Sequence, residues 1–392
     1  MLSKVFRDPL YGYVRVNDEI IDELINCSIF QRLRRIKQLC GVSMVFHMAD
    51  HTRFSHSLGT YELAREVLEK VIDVKNALND YEKCVFLCSA LLHDVGHGPY
   101  SHSFEKIFKI SHETMTSNII LEDTEINRIL KKYNPKLPED IASVINHEHK
   151  FPLIEQLVSS QLDVDRMDYL RRDAYFTGAQ FGDIDIEKIL RGMLVKDGKI
   201  LFKYNSVPNI EDYLMSRYHM YYQVYYHPVS RCFEVMLEMI YARWYELIKS
   251  GYKFKTDVSL LVNVLDTKTV ESFLKIDDFY VNGCIQQFQY EEDPILRDLS
   301  FRLFNRKLFN NIDLKYASKE QIEEVKKYKD NPKYYYKEDV VSKSAYDYKI
   351  DEQINILVPG DKEVDLLHFS PIVEAFSKSS EYISKLIYYS EI

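Results

Sequence analysis

The chain has 392 residues, 46% of them hydrophobic and 28% charged, enough to bury a sizeable core as one large domain or a domain with a smaller lobe. Lys and Arg number 51 against 60 Asp and Glu, a formal net charge of −9. That balance excludes a protein whose main business is coating nucleic acid, but not an anionic substrate held in a local basic pocket. No run of about 18 apolar residues exists to span a membrane, and the first ten residues lack the apolar stretch of a signal peptide, so a cytoplasmic protein without a membrane partner is expected.

Only 12 glycines and 11 prolines punctuate the chain, which predicts long helices and few turns. Apolar residues recur at three- and four-residue spacing over 20–39, 61–72, 84–92, 154–169 and 210–247, predicting helices in each. Between the last two, Gly192 to Tyr204 reads as a β-hairpin turning at Asp197-Gly198. Past residue 250 the pattern changes: Lys319 to Lys343 reads as a solvated helix and loop, and Ile354 to Val358 before Pro359-Gly360 as a short strand and turn. The expectation is a mainly α fold with a small β-hairpin, residues 1–250 carrying the chemistry and 251–392 forming an α+β lobe for packing or oligomerisation. The six scattered cysteines read as reduced core thiols.

Seven of the 12 histidines lie between His47 and His112. Arg53 and His56 are three apart and share a helix face; His51 and Ser55 belong to the same polar cluster. The apolar run Val85 to Leu92 leads into His93-Asp94, with His97 and His102 following and Gly98-Pro99 ending the helix; Ser111-His112-Glu113 is a third cluster. Imidazole nitrogen with carboxylate oxygen suits a borderline divalent ion, which could polarise a phosphoryl group. Isolated rings such as His47, His147, His149 and His368 read instead as half-buried structural histidines. His93-Asp-Val-Gly-His97 imitates the H-E-x-x-H zinc-protease helix, but Gly96 and Gly98-Pro99 break the helix that motif needs.

A fourth cluster runs from Gln161 to Asp173. Asp165, Tyr169 and Asp173 fall one and two helical turns apart on one face, while Asp163 cannot share it. Arg217, Tyr221 and Tyr225 repeat the spacing, fit either to grip a phosphate and stack a base or simply to pack in a chain with 30 tyrosines.

His56, His93-Asp94 and Asp165 reproduce the H…HD…D signature of the HD superfamily. The segments around them, Phe30 to Leu39, Arg53 to Gly59, His93 to His102 and Asp163 to Tyr169, resemble the HD-domain dNTP triphosphohydrolases over residues 1 to about 240, and more weakly to the end. The resemblance implies an HD-domain helical fold and one divalent metal ion per subunit, Mg, Mn or Fe, with Zn or Ni in preparations, held by His56, His93, Asp94 and Asp165. It implies that His97, His102 and His112 serve the phosphates, His102 as general acid toward the leaving 5′-oxygen. Arg53, Arg166 and Arg217 would contact the triphosphate; Gln38, Tyr169 and Asp173 would read the deoxyribose; Leu39, Tyr221 and Tyr225 would line sugar and base. It further implies dNTP substrates, an activator nucleotide and a dimer of dimers. Among candidate allosteric positions Lys4, Gln31, Arg34 and Lys203 match, whereas Asn26, Arg7 and Asn205 depart, so the activator is another nucleotide or none. The competing readings are an HD phosphodiesterase acting on another nucleotide phosphoester, and a non-catalytic nucleotide sensor.

Overall fold

The first strands, Lys4–Asp8 and Gly12–Val16, pair antiparallel about a turn in which the Asp8 carboxylate accepts the Leu10 and Tyr11 N–H groups and Gly12 takes φ 71°. The computed structural model describes residues 4–182, 184–328, 333–343, 353–379 and 382–390, with the side chains of His102, 342–343, 378–379 and 382–384 outside the description. Behind the hairpin the molecule is mainly α-helical.

Three helices carry the functional segments. Arg53–Lys70 packs against both Asp80–Leu92 and Val164–Thr177. Asp80–Leu92 opens with a reciprocal cap between Asn79 and Glu82 and is buried along its last two turns, so its C-terminal end lies deep in the protein. Val164–Thr177 is capped by Asp163, whose carboxylate accepts the Arg166 N–H, and stops at Gly178 with φ 72°. The look-alike protease helix is absent because the Asp80–Leu92 helix ends at His93, leaving His97 on the turn beyond.

The predicted hairpin forms from Met193–Lys196 and Lys199–Lys203, with Asp197 and Gly198 both at positive φ (50° and 73°), as a type I′ turn requires. It continues into a four-stranded sheet: Lys199–Lys203 runs parallel to Asn355–Val358, which pairs in turn with Lys362–Asp365. Two expectations give way. Residues 336–343 are a strand, not a solvated loop; they pair along their length with Tyr382–Tyr389, a partner too distant in sequence for local Lys and Glu content to reveal. The helical spacing over 210–247 is not one helix. Val207–Met220 passes into a π turn at Tyr221–Tyr225, and Pro228 starts a new helix, Pro228–Lys249.

The core is one large apolar cluster with a small satellite of Val325, Tyr336 and Ile387 under the Tyr336–Lys343 strand. Trp244, Tyr61 and Tyr213 are fully buried, and charged side chains, among them Arg32, Asp168 and Arg172, are buried as deeply. All six cysteines are free. Among the described residues no helix is long and apolar enough to cross a membrane.

Candidate active site

His56 projects from the first turn of the helix Arg53–Lys70, Asp165 from the first turn of Val164–Thr177, and His93 from the end of Asp80–Leu92. Packing of the three helices brings the His56 Nε2 atom to 3.0 Å from Asp165 Oδ1 and 3.2 Å from His93 Nε2, with 3.5 Å between His93 Nε2 and Asp165 Oδ1. Donors bound at ~2.1 Å to one ion stand roughly 3.0–3.4 Å apart at octahedral or tetrahedral angles. The residues therefore fit a divalent ion. Asp94 borders the group, its carboxylate oxygens 3.5 Å from His93 Nε2 and 3.7 Å from His56 Nε2.

Hydrogen bonds fix which ring nitrogen each histidine offers. His93 Nδ1 donates to the Ala90 carbonyl (2.9 Å) and His56 Nδ1 donates to Asp168 Oδ2 (2.8 Å), so both present Nε2 to the same point. The charges are mutually stabilised. Burial alone would lower the His56 pKa, but Asp165 and Asp168 raise it to about 10. Burial works upward on Asp165, yet hydrogen bonds from His56 and His93 hold the carboxyl well below the usual carboxylate range. For Asp94 the Arg53 guanidinium, 2.5 Å from Oδ2, is the leading charge that outweighs burial and keeps it ionised.

A second group of donors lies on the other side of Asp94. His97 Nε2 meets Asp94 Oδ1 at 3.1 Å, the His97 and His112 rings stack 4.0 Å apart, and Glu105 Oε1 lies 2.7 Å from His112 Nδ1. Burial and the Arg53 charge push the His97 pKa well below its usual value. This stacking needs a bare backbone at Gly96, where a Cβ would sit 2.2 Å from Thr116 N and 2.3 Å from His112 O. The turn leading to His102 is strained, with Tyr100 and Ser101 at φ 56° and 47°. Neighbours hold it there. Asp278 accepts the Tyr100 N–H (3.0 Å), Arg53 donates to Ser101 Oγ, and Arg32 donates to the His97 carbonyl (2.9 Å). The His102 side chain lies outside the described residues.

A cavity of about 620 Å³ joins these groups to Tyr169, Asp173 and Tyr225, its wall including also Gln38, Leu39, Arg53, His56, Asp94, His97, His112, Asp165 and Tyr221. Asp173 is held by two partners, His51 Nε2 and Tyr225 O–H, each at 2.7 Å. Arg166 and Arg217 stand outside that wall and converge on Gln161, whose Oε1 accepts from Arg217 at 2.7 Å and from Arg166 at 3.5 Å. Lys4, Gln31 and Arg34 lie elsewhere, around the helix Glu19–Asn26. Lys4 pairs with Asp22, Gln31 donates to the Ile25 carbonyl, and Arg34 bonds to Gln31. Lys203 sits on a different element, exposed at the end of the second hairpin strand. His47, His147, His149 and His368 are exposed rather than half-buried.

Sequence reasoning missed Glu105, Asp168, His51 as a partner of Asp173, and Asp278. Two carried a local signal: Glu105 follows His102 by three residues on one helix, and Asp168 precedes Arg172 by four. His51 and Asp278 carried none, since their partners are remote in sequence.

Residues 53–173 match the HD domain and residues 184–390 the HD associated region. The uncharacterized protein YwfO of Bacillus subtilis is 42% identical over 398 residues, covering 98% of this chain and 92% of that protein. A SAMHD1 homolog of Dictyostelium discoideum, a deoxynucleoside triphosphate triphosphohydrolase, is 29% identical over 283 residues, covering 68% of this chain and 54% of its own length. The crystal structure of a phosphohydrolase from Bacteroides thetaiotaomicron superposes with a TM-score of 0.88 at 27% identity, covering 100% of both chains. With residues matched to both the HD domain and the HD associated region, and 42% identity to YwfO over 98% of this chain, the protein belongs to the HD-domain phosphohydrolases.

Proposed function

We propose that this protein is a metal-dependent deoxynucleoside triphosphate triphosphohydrolase of the cytoplasm, converting dNTP and water to deoxynucleoside and triphosphate. The observation that carries the reading is the single cavity faced by the His56–Asp165 donors, the His97–His112 stack and the Tyr169–Asp173–Tyr225 group. Those three groups suit the reacting phosphorus, the phosphate chain and a sugar. His56, His93, Asp94 and Asp165 would hold one divalent ion, Mg, Mn or Fe, which when bound polarises the α-phosphoryl group and lowers the pKa of water.

The chain's own groups do the rest. Arg53, His97 and His112 line the phosphate side, while Arg166 and Arg217, joined at Gln161, add positive charge beside Tyr169 and Tyr221; charge-assisted hydrogen bonds from such groups suit a triphosphate. Water's oxygen bonds to the α-phosphorus as the bond from phosphorus to the 5′-oxygen breaks, and His102, at the start of the helix His102–Phe108, protonates that leaving oxygen. Tyr169 and Asp173 share a rigid helix with Asp165, so the sugar is seated relative to the metal donors; Asp173 serves the 3′-hydroxyl and the Tyr169 ring crowds the 2′ carbon. Gln38 and Leu39 close the sugar side, and Tyr221 and Tyr225 face the base. The same reading includes assembly as a dimer of dimers and, at Lys4, Gln31, Arg34 and Lys203, either an activator nucleotide or none.

The test is a product assay on each dNTP and NTP, singly and in pairs, with Mg²⁺ and with Mn²⁺. Intact triphosphate plus deoxynucleoside from dNTPs alone is the expected result. Release of orthophosphate, or of a nucleoside monophosphate, overturns the reading in favour of another phosphoester chemistry. A folded Tyr169→Ala variant should admit ribonucleotides; an unchanged dNTP/NTP ratio of kcat/KM would place sugar discrimination elsewhere.

A further inference from the structure

We infer that the N-terminal hairpin turn is the outer shell of the metal centre, fixing Asp168 so that Asp168 fixes His56. The inference rests on the reading of His56 as a metal ligand. Asp168 is fully buried, and its two carboxylate oxygens accept four hydrogen bonds. Oδ2 takes His56 Nδ1 and Arg172 Nε, both at 2.8 Å. Oδ1 takes the Tyr11 hydroxyl at 2.7 Å and Arg172 Nη2 at 2.9 Å. A carboxylate has about four lone-pair sites, so each oxygen is saturated and the group has no room to turn. Arg172 is held in its turn by Asp8 (2.9 Å), the residue whose other oxygen caps the hairpin turn.

Two links therefore run from residues 8–11 to the back of His56, one through the Tyr11 hydroxyl and one through the Asp8–Arg172 pair. Their effect is on the imidazole. With Asp168 accepting at Nδ1, the ring keeps a proton there, and Nε2 is the nitrogen turned toward Asp165 and His93, where an ion would take it. An amide in place of the carboxylate would turn an N–H toward His56 or the Arg172 fork, favouring the opposite tautomer or breaking the fork. Asp168 is thus a positioning residue, and Tyr11 positions it from the hairpin.

The experiment strips the full-length protein with a chelator and titrates it with Mn²⁺, following free Mn²⁺ by electron paramagnetic resonance. The His56 Nδ1 signal, which reports the bond to Asp168, is read in parallel from the ¹⁵N shifts of labelled histidine in the metal-free protein. Asp168→Asn should weaken Mn²⁺ binding by roughly 10–100-fold, the usual cost of losing an outer-shell partner, and shift the His56 Nδ1 signal. Tyr11→Phe, which removes one hydroxyl and no charge, should weaken binding by about three- to tenfold. If Asp168→Asn does not fold, Tyr11→Phe decides alone. Wild-type affinity and an unshifted His56 Nδ1 signal in the folded variants overturn the inference while leaving the metal centre standing. A wild-type chain that takes up no Mn²⁺ at His56 overturns the metal reading and this inference with it.

Discussion

Gly59 lies in the middle of the helix Arg53–Lys70, where helix propensity alone says that alanine should stabilise the protein by about 1 kcal/mol. The tertiary structure reverses the sign. A Cβ on Gly59 would sit 1.9 Å from Asp168 Oδ1 and 2.3 Å from Arg172 Nη2, so Asp168 would have to retreat by about 1 Å even to reach a tight 3.0 Å contact. A shift of that size breaks its bonds to Tyr11 and His56 and loosens the fully buried pair with Arg172. Disrupting a buried pair costs about 3–5 kcal/mol, so the net effect of Gly59→Ala is a loss of about 2–4 kcal/mol. Urea denaturation of metal-free wild type and variant, followed by far-ultraviolet circular dichroism, measures it. A variant as stable as wild type, or more so, would refute the argument.

Three further outcomes follow from other parts of the site. Burial raises the Asp278 carboxyl to about 6 against the N–H groups of Lys37 and Tyr100, so its contribution to stability is full below the unfolded pKa near 3.8 and is lost as pH rises through 6. Between pH 4 and 7 the stability of Asp278→Asn should gain on wild type by about 2 kcal/mol, and parallel pH curves would show that Asp278 does not titrate there. Metal at about 100 times its Kd should add about 2.7 kcal/mol to the stability of wild type and nothing to His93→Ala; an unchanged Tm on chelation would count against the site. Gln161→Leu leaves Arg217 Nη1 without its 2.7 Å acceptor, costing about 1–3 kcal/mol and raising KM for substrate more than it lowers kcat. A wild-type KM would detach Gln161 from phosphate binding.

What the sequence determined by itself was local. Helical spacing placed Asp165, Tyr169 and Asp173 on one face, the His-Asp pair marked a helix end, and Asp197-Gly198 marked the hairpin. Each depends on residues within two turns or one strand of each other, where backbone geometry dictates which side chains meet. Tertiary structure decided the rest. Tyr11 and Asp168 are 157 positions apart, His51 and Asp173 are 122, and Lys37 and Asp278 are 241, so nothing in their flanking residues signals the contact. The strand at 336–343 is of the same kind, because a strand's hydrogen bonds are satisfied by a partner that the local sequence does not name. Even Gly59 reads as a weak point in a helix until Asp168 is packed against it. First-turn ligands are written in the pattern of the chain, whereas the groups that aim them are set by which helices the core packs together.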